Sequence, residues 1–157
     1  MKDGHCDALI LAFAGVHRMK YDDLIVEHLN IEEFVPPVGQ GSVAVQVCNT
    51  KLEADKTELV RKLTNHKPTE QCLLAERKFL EILDGGCSVP VFAHAKLENN
   101  NIEIKGGVVS LDGKTKLQHK LSGIVSDAQK LGEMLANEIV TMGGATLLAE
   151  IKQELKS

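Results

Sequence analysis

Cys87 is the residue with the most chemistry within reach. It stands in Leu83-Asp84-Gly85-Gly86-Cys87-Ser88-Val89-Pro90, where a helical pattern runs into paired glycines and strand-like sequence follows at once. Glycine accepts left-handed or crowded backbone at no side-chain cost, so the stretch predicts a tight helix-to-strand corner with the thiol held on fixed backbone. Two readings of that thiol stay open at this level. A free cysteine is among the most buried residue types and can serve as a small core hydrophobe. Alternatively it is a nucleophile, whose thiolate needs nearby positive charge or a helix N-terminus. The helix end beside Cys87 is a C-terminus, whose partial negative charge opposes ionisation. Cationic side chains facing it across a cleft must then activate it. The other cysteines, Cys6, Cys48 and Cys72, are far apart and form no C-x-x-C pair, so they read as packing residues. The six histidines show no H-E-x-x-H or H-x-H spacing, and no metal site is expected. Gly39-Gln40-Gly41 lacks the Gly-Lys-Ser/Thr that completes a phosphate loop.

The elements around these residues follow from periodicity. Asp7 to Ala12 is a short apolar run, read as a strand buried on both faces, and its neighbours must come from elsewhere. Tyr21 to Leu29 carries a short amphipathic pattern with Asp22 and Asp23 in its first turn. Phe34 to Ser42 is an irregular connector, because Pro36-Pro37 cannot sit inside a helix. Ser42 to Cys48 alternates like a strand. Helices are expected over Ala54 to Leu63 and from Pro68, the second burying Cys72, Ala75, Phe79, Ile82 and Leu83. Arg77 lies off that stripe and reads as solvated. Three strands follow, Val89 to Leu97, Ile102 to Leu111 and Lys114 to Leu121, with turn signals at Glu98 to Asn101 and at Asp112-Gly113. Ser126 to Gln129 reads as a capping box for a helix burying Leu131, Leu135, Ile139 and Met142. Gly143-Gly144 ends it, and a last helix runs from Ala145 to Leu155. Three antiparallel strands with helices before and after make an α+β domain.

Composition narrows the class of function. With 43% hydrophobic and 25% charged residues the chain has the make-up of a globular protein. A net charge of −4 offers no basic footprint for nucleic acid, and one tyrosine with no tryptophan gives no platform for base stacking. The longest apolar run, Ala8 to Val16, is too short to span a bilayer, so no membrane association is expected. The run also lacks the flanks of a signal peptide, and a cytoplasmic location is expected.

Ala75-Glu76-Arg77-Lys78-Phe79-Leu80 followed by Gly85-Gly86-Cys87-Ser88-Val89-Pro90-Val91 resembles the porphobilinogen deaminase (hydroxymethylbilane synthase) family. The resemblance takes in Asp7 to Arg18 (DALILAFAGVHR), Val35 to Gly41 (VPPVGQG) and Gly106 to Gly113, and continues to the C-terminal helices. It implies a transferase of haem and tetrapyrrole biosynthesis that joins four porphobilinogen units with release of ammonia. It implies that Cys87 carries a dipyrromethane cofactor through a thioether. It also implies that Arg18 binds acetate or propionate groups of the pyrrole chain, a task suited to a guanidinium fork. Gln40 is implied to touch the cofactor at an interdomain hinge. Without the resemblance, Arg18 reads as a solvated arginine and Gln40 as a turn residue. Arg77 and Ser88 are weaker candidates. No residue matches the family's general acid/base aspartate.

Two departures matter. The strand after VGQG commonly ends in an acidic residue and an arginine in the family, and here it reads Val45-Gln46-Val47-Cys48-Asn49. The family's front half is not matched, so the chain is expected to be the C-terminal half only and inactive alone. Residues 1–50 are read as the end of a partial doubly wound α/β segment plus a hinge strand, 51–64 as a connecting helix, and 65–157 as the cofactor-bearing domain. A monomer with porphobilinogen as its partner is expected. The rival readings are a non-enzymatic fragment with a binding role and a thiol-based redox or transferase domain using Cys87.

Overall fold

The computed structural model describes residues 4–48, 54–86 and 89–156. Cys87, Ser88 and Asn49 lie outside the described residues. The chain divides into two units, Met1–Phe34 and Val35–Ser157, each considered by itself.

In the second unit the alternating segments form β1 (Val91–Glu98), β2 (Asn101–Val109) and β3 (Lys116–Ile124), an antiparallel sheet in the order β1-β2-β3. Asn99 turns the first hairpin at φ 56°, a left-handed conformation that asparagine tolerates better than most residues. At the second turn Asp112 Oδ1 accepts from the Ser110 hydroxyl at 2.6 Å and the Lys114 amide at 3.1 Å. Ala93 and Ala95 of β1 and Ile102, Ile104 and Val108 of β2 are buried on one face. That face is covered by α3 (Lys67–Ile82) and α4 (Ala128–Ile139), through Ala75, Phe79, Leu131, Leu135 and Ile139. Leu147, Leu148 and Ile151 of α5 (Ala145–Glu154) complete the core. The helix preceding α3, α2 (Ala54–Thr64), buries nothing. The α+β architecture read from the pattern is the one observed.

Several local expectations are corrected. On α3 the stripe holds at Ala75, Phe79 and Leu83, but Ile82 is exposed and the charged Glu76 is buried. No side chain caps α4, because Ser126 falls inside a preceding single turn of tighter helix, Val125–Asp127. Met142 is exposed because the helix breaks around Gly143, where φ is 100°.

The first unit holds α1 (Phe13–Arg18) and one short helical turn, Asp22–Leu24, neither with a buried residue. The longer helix expected to Leu29 is not formed. Phe13 stacks on His17 and meets His28 edge-on, and His17 Nδ1 pairs with Asp22 Oδ1 at 2.7 Å. Among the described residues, 7–12 and 42–48 are not strands. Ile10 is 82% exposed and Val43 92%. A strand needs a neighbour to take its amides and carbonyls, and among the described residues neither segment has one.

Candidate functional site

The corner that leads to Cys87 is built from side-chain constraints more than from glycine's freedom. Helix α3 ends at Ile82, and the left-handed residue is Asp84, at φ 49°, in place of either expected glycine. Its carboxylate takes Lys152 Nζ at 2.7 Å, which ties the corner to α5 and holds the Asp84 carboxyl below the usual carboxylate range. Gly85 is closely packed, since a Cβ there would come within 2.6 Å of Leu80 Cδ1 and 3.2 Å of Val91 Cγ2 and the leucine would have to turn aside. The Val89 amide donates to the Gly86 carbonyl at 3.1 Å.

The connector carrying Gln40 is anchored at two points. Val38 packs against the core, and the Gly39 amide donates to Glu76 Oε2 at 2.8 Å. Gly39 and Gly41 have φ of 75° and 82°, so both need glycine, and the exposed Gln40 is held between them. The other Glu76 oxygen accepts from the Ala95 amide at 2.8 Å, on the outer edge of β1. His94 Nδ1 lies 3.9 Å from that oxygen, too far for a hydrogen bond. Glu76 is the sole buried charged side chain among the described residues. Burying a carboxylate is tolerated when hydrogen bonds replace its water, and two backbone donors do so here.

Gln40, Glu76 and Arg77 line one cleft of about 640 Å³, with His66 and His94 beside them. Arg77 is exposed on it, so the sequence reading of a solvated arginine holds. Cys72 also lines the cleft, and burial pushes its thiol up, with the Glu76 carboxylate adding to the effect. The Gln40 carboxamide and the Arg77 guanidinium, both lining this cleft, are groups able to donate to carboxylates. Arg18 ends α1 in the other unit and is exposed. The three residues singled out for a cofactor thus fall in separate settings: Gln40 on this cleft, Arg18 on the first unit, and Cys87 outside the described residues. Glu76 went unnoticed in the sequence. Its signal was a glutamate at helical spacing from Cys72 and Phe79, on a stripe meant for apolar residues.

Comparison with known families places the chain. Residues 1–56 match the model described as "Porphobilinogen deaminase, dipyromethane cofactor binding domain", and residues 70–141 match "Porphobilinogen deaminase, C-terminal domain". A porphobilinogen deaminase of Desulfosudis oleivorans is 47% identical over 154 residues, covering 98% of this chain and 49% of that protein. One from Cytophaga hutchinsonii is 44% identical over 155 residues, covering 99% and 49%. The chain belongs to the porphobilinogen deaminase family, and it spans about half the length of the curated relatives it matches. No described helix is long and apolar enough to cross a membrane.

Proposed function

We propose that the chain serves as the Cys87-bearing part of a hydroxymethylbilane synthase, which joins four porphobilinogen units with release of ammonia on a dipyrromethane primer. The observation that carries this is the match, in order along the chain, to both the cofactor-binding and the C-terminal domain models of one family. When bound, the dipyrromethane supplies the primer pyrrole that is extended. Cys87 would hold it by a thioether, its sulfur replacing the amino group on the aminomethyl carbon of a pyrrole, with ammonia leaving and carrying off the thiol proton. Arg18 presents a guanidinium to acetate or propionate groups, and Gln40 presents its amide. The donor set of Gln40 and Arg77 on one cleft fits a carboxylate-bearing group, which supports the reading.

The finer organisation belongs to the same proposal. Residues 1–50 form part of a doubly wound layer and a hinge strand, 51–64 a connecting helix, and 65–157 the cofactor-bearing domain. The apolar side chains exposed at 7–12 and 42–48 support this, since they have the composition of strands completed by a neighbouring sheet. The protein acts as a cytoplasmic monomer, away from membranes and nucleic acid.

A chimera tests the proposal. This chain replaces the matched half of the Desulfosudis oleivorans relative, and porphobilinogen consumption is followed as uroporphyrin after oxidation. The expected result is product from the chimera and none from its Cys87→Ser variant. A folded chimera that makes no product, or a Ser variant that keeps making it, overturns the reading.

A further inference from the structure

We infer that Glu76 is a positioning residue, whose buried carboxylate pins the Gln40 loop to the edge of the sheet and so sets where the Gln40 amide points. The inference rests on the proposed role of Gln40, and its structural part stands apart from it. Each carboxylate oxygen takes one backbone amide: Oε2 that of Gly39 and Oε1 that of Ala95, both at 2.8 Å. Among the described residues Ala95 lies on an edge strand, with no strand beyond its outward amide. Gly39 lies 37 positions before Glu76 in the sequence, in a loop with no strand ladder of its own. One side chain on α3 therefore ties the helix, the Gln40 loop and the sheet edge by hydrogen bonds as well as packing. Gln40 is the residue after the pinned amide, and the left-handed glycines on either side leave its direction to the backbone.

The geometry also selects the informative variant. Glu76→Gln keeps the size but has one acceptor oxygen, and its NH2 repels the second amide hydrogen. The β1–β2 ladder holds Ala95 in place, so the bond to Gly39 is the one given up. A hydrogen bond to a charged acceptor protects its amide on the order of tenfold to a hundredfold in exchange.

The test is residue-resolved amide exchange on the full chain and on Glu76→Gln, with melting followed in parallel. Gly39 is expected to exchange much more slowly than Gly41 in the parent. In Glu76→Gln it should exchange as fast as Gly41, while the amides of β2 and α4 stay protected. Parent exchange at Gly39 as fast as at Gly41 overturns the pin, and so does unchanged exchange in the variant. A general loss of protection shows a structural role only and also overturns it. The functional half is read in the chimera through the KM for porphobilinogen. There, Glu76→Gln should add nothing on a Gln40→Ala background if it acts through Gln40. A full additive effect contradicts that route. A Gln40→Ala variant without effect removes the cofactor reading of Gln40 and leaves the exchange result untouched.

Discussion

At the residue scale, the three cysteines among the described residues differ in what their surroundings allow. Cys72 is half-buried, and desolvation followed by the nearby Glu76 carboxylate raises its thiol pKa, so little thiolate exists at neutral pH. Cys48 is exposed. Iodoacetamide at pH 7 is therefore expected to label Cys48 before Cys72, read by peptide mass. Equal rates would contradict the burial argument. The same burial makes Cys72 a poorer nucleophile, although it lines the Gln40 cleft. Cys87 stands out in the sequence because a thiol beside paired glycines is conspicuous, and its attachment role belongs to the proposal. Glu76 does not, because its partners lie 37 positions before it and 19 after it, and nothing local announces them. Of the two uses expected for the paired glycines, crowding is the one observed. Their use is close approach at Gly85, while the left-handed turn falls on Asp84, whose strain is met by the tie to Lys152.

At the element scale, what the sequence predicted well is what each segment settles with its own neighbours. The turn chemistry at Asn99 and Gly113 and the order of three strands agree with the fold, and the stripe on α3 does so at Ala75, Phe79 and Leu83. Residues 7–12 and 42–48 form no strand among the described residues, because an apolar run states a need for burial and not the partner that supplies it. The α3–α4 crossing rests on Gly132, where a Cβ would overlap the Ala75 carbonyl oxygen. Gly132→Ala should therefore destabilise the chain by about 1–3 kcal/mol despite alanine's better helix propensity, measured by urea unfolding. A neutral or stabilising result would show that the helices can part at little cost. On the open face of the sheet, Glu103 sits between Lys120 at 3.0 Å and Lys96 at 3.1 Å. Hydrogen bonds from Lys120 and then Lys96 hold its carboxyl below the ordinary glutamate value. A depressed carboxylate contributes stability that is complete above its unfolded pKa and is lost as pH falls through the folded one. The cluster is largely solvated, so the contribution is about 0.2–1 kcal/mol. Between pH 6 and 3 the parent should lose that much more stability than Glu103→Gln, by urea midpoint. Parallel curves would show the cluster to be inert.

At the scale of the whole molecule, the chain by itself is expected to release no hydroxymethylbilane. Acid–base assistance is typically worth about 10²–10⁴-fold, and it needs a carboxylate free to reach the pyrrole nitrogen. The buried carboxylate among the described residues, Glu76, has both oxygens committed to backbone amides. Arg18 and Gln40 are exposed, where contacts to a carboxylate are weak. Uroporphyrin formed from porphobilinogen by the purified chain, above a Cys87→Ala control, would contradict this. The central claim is that Cys87 is where the pyrrole primer is attached. Its most direct test is peptide-mapping mass spectrometry of the chimera purified from cells that make porphobilinogen, with intact mass taken first. The account predicts a dipyrromethane adduct on the Cys87 peptide and an unmodified Cys87→Ser variant. An adduct on Cys6, Cys48 or Cys72, an adduct that survives in the Ser variant, or a Cys87 carrying only oxidation or glutathione would contradict it.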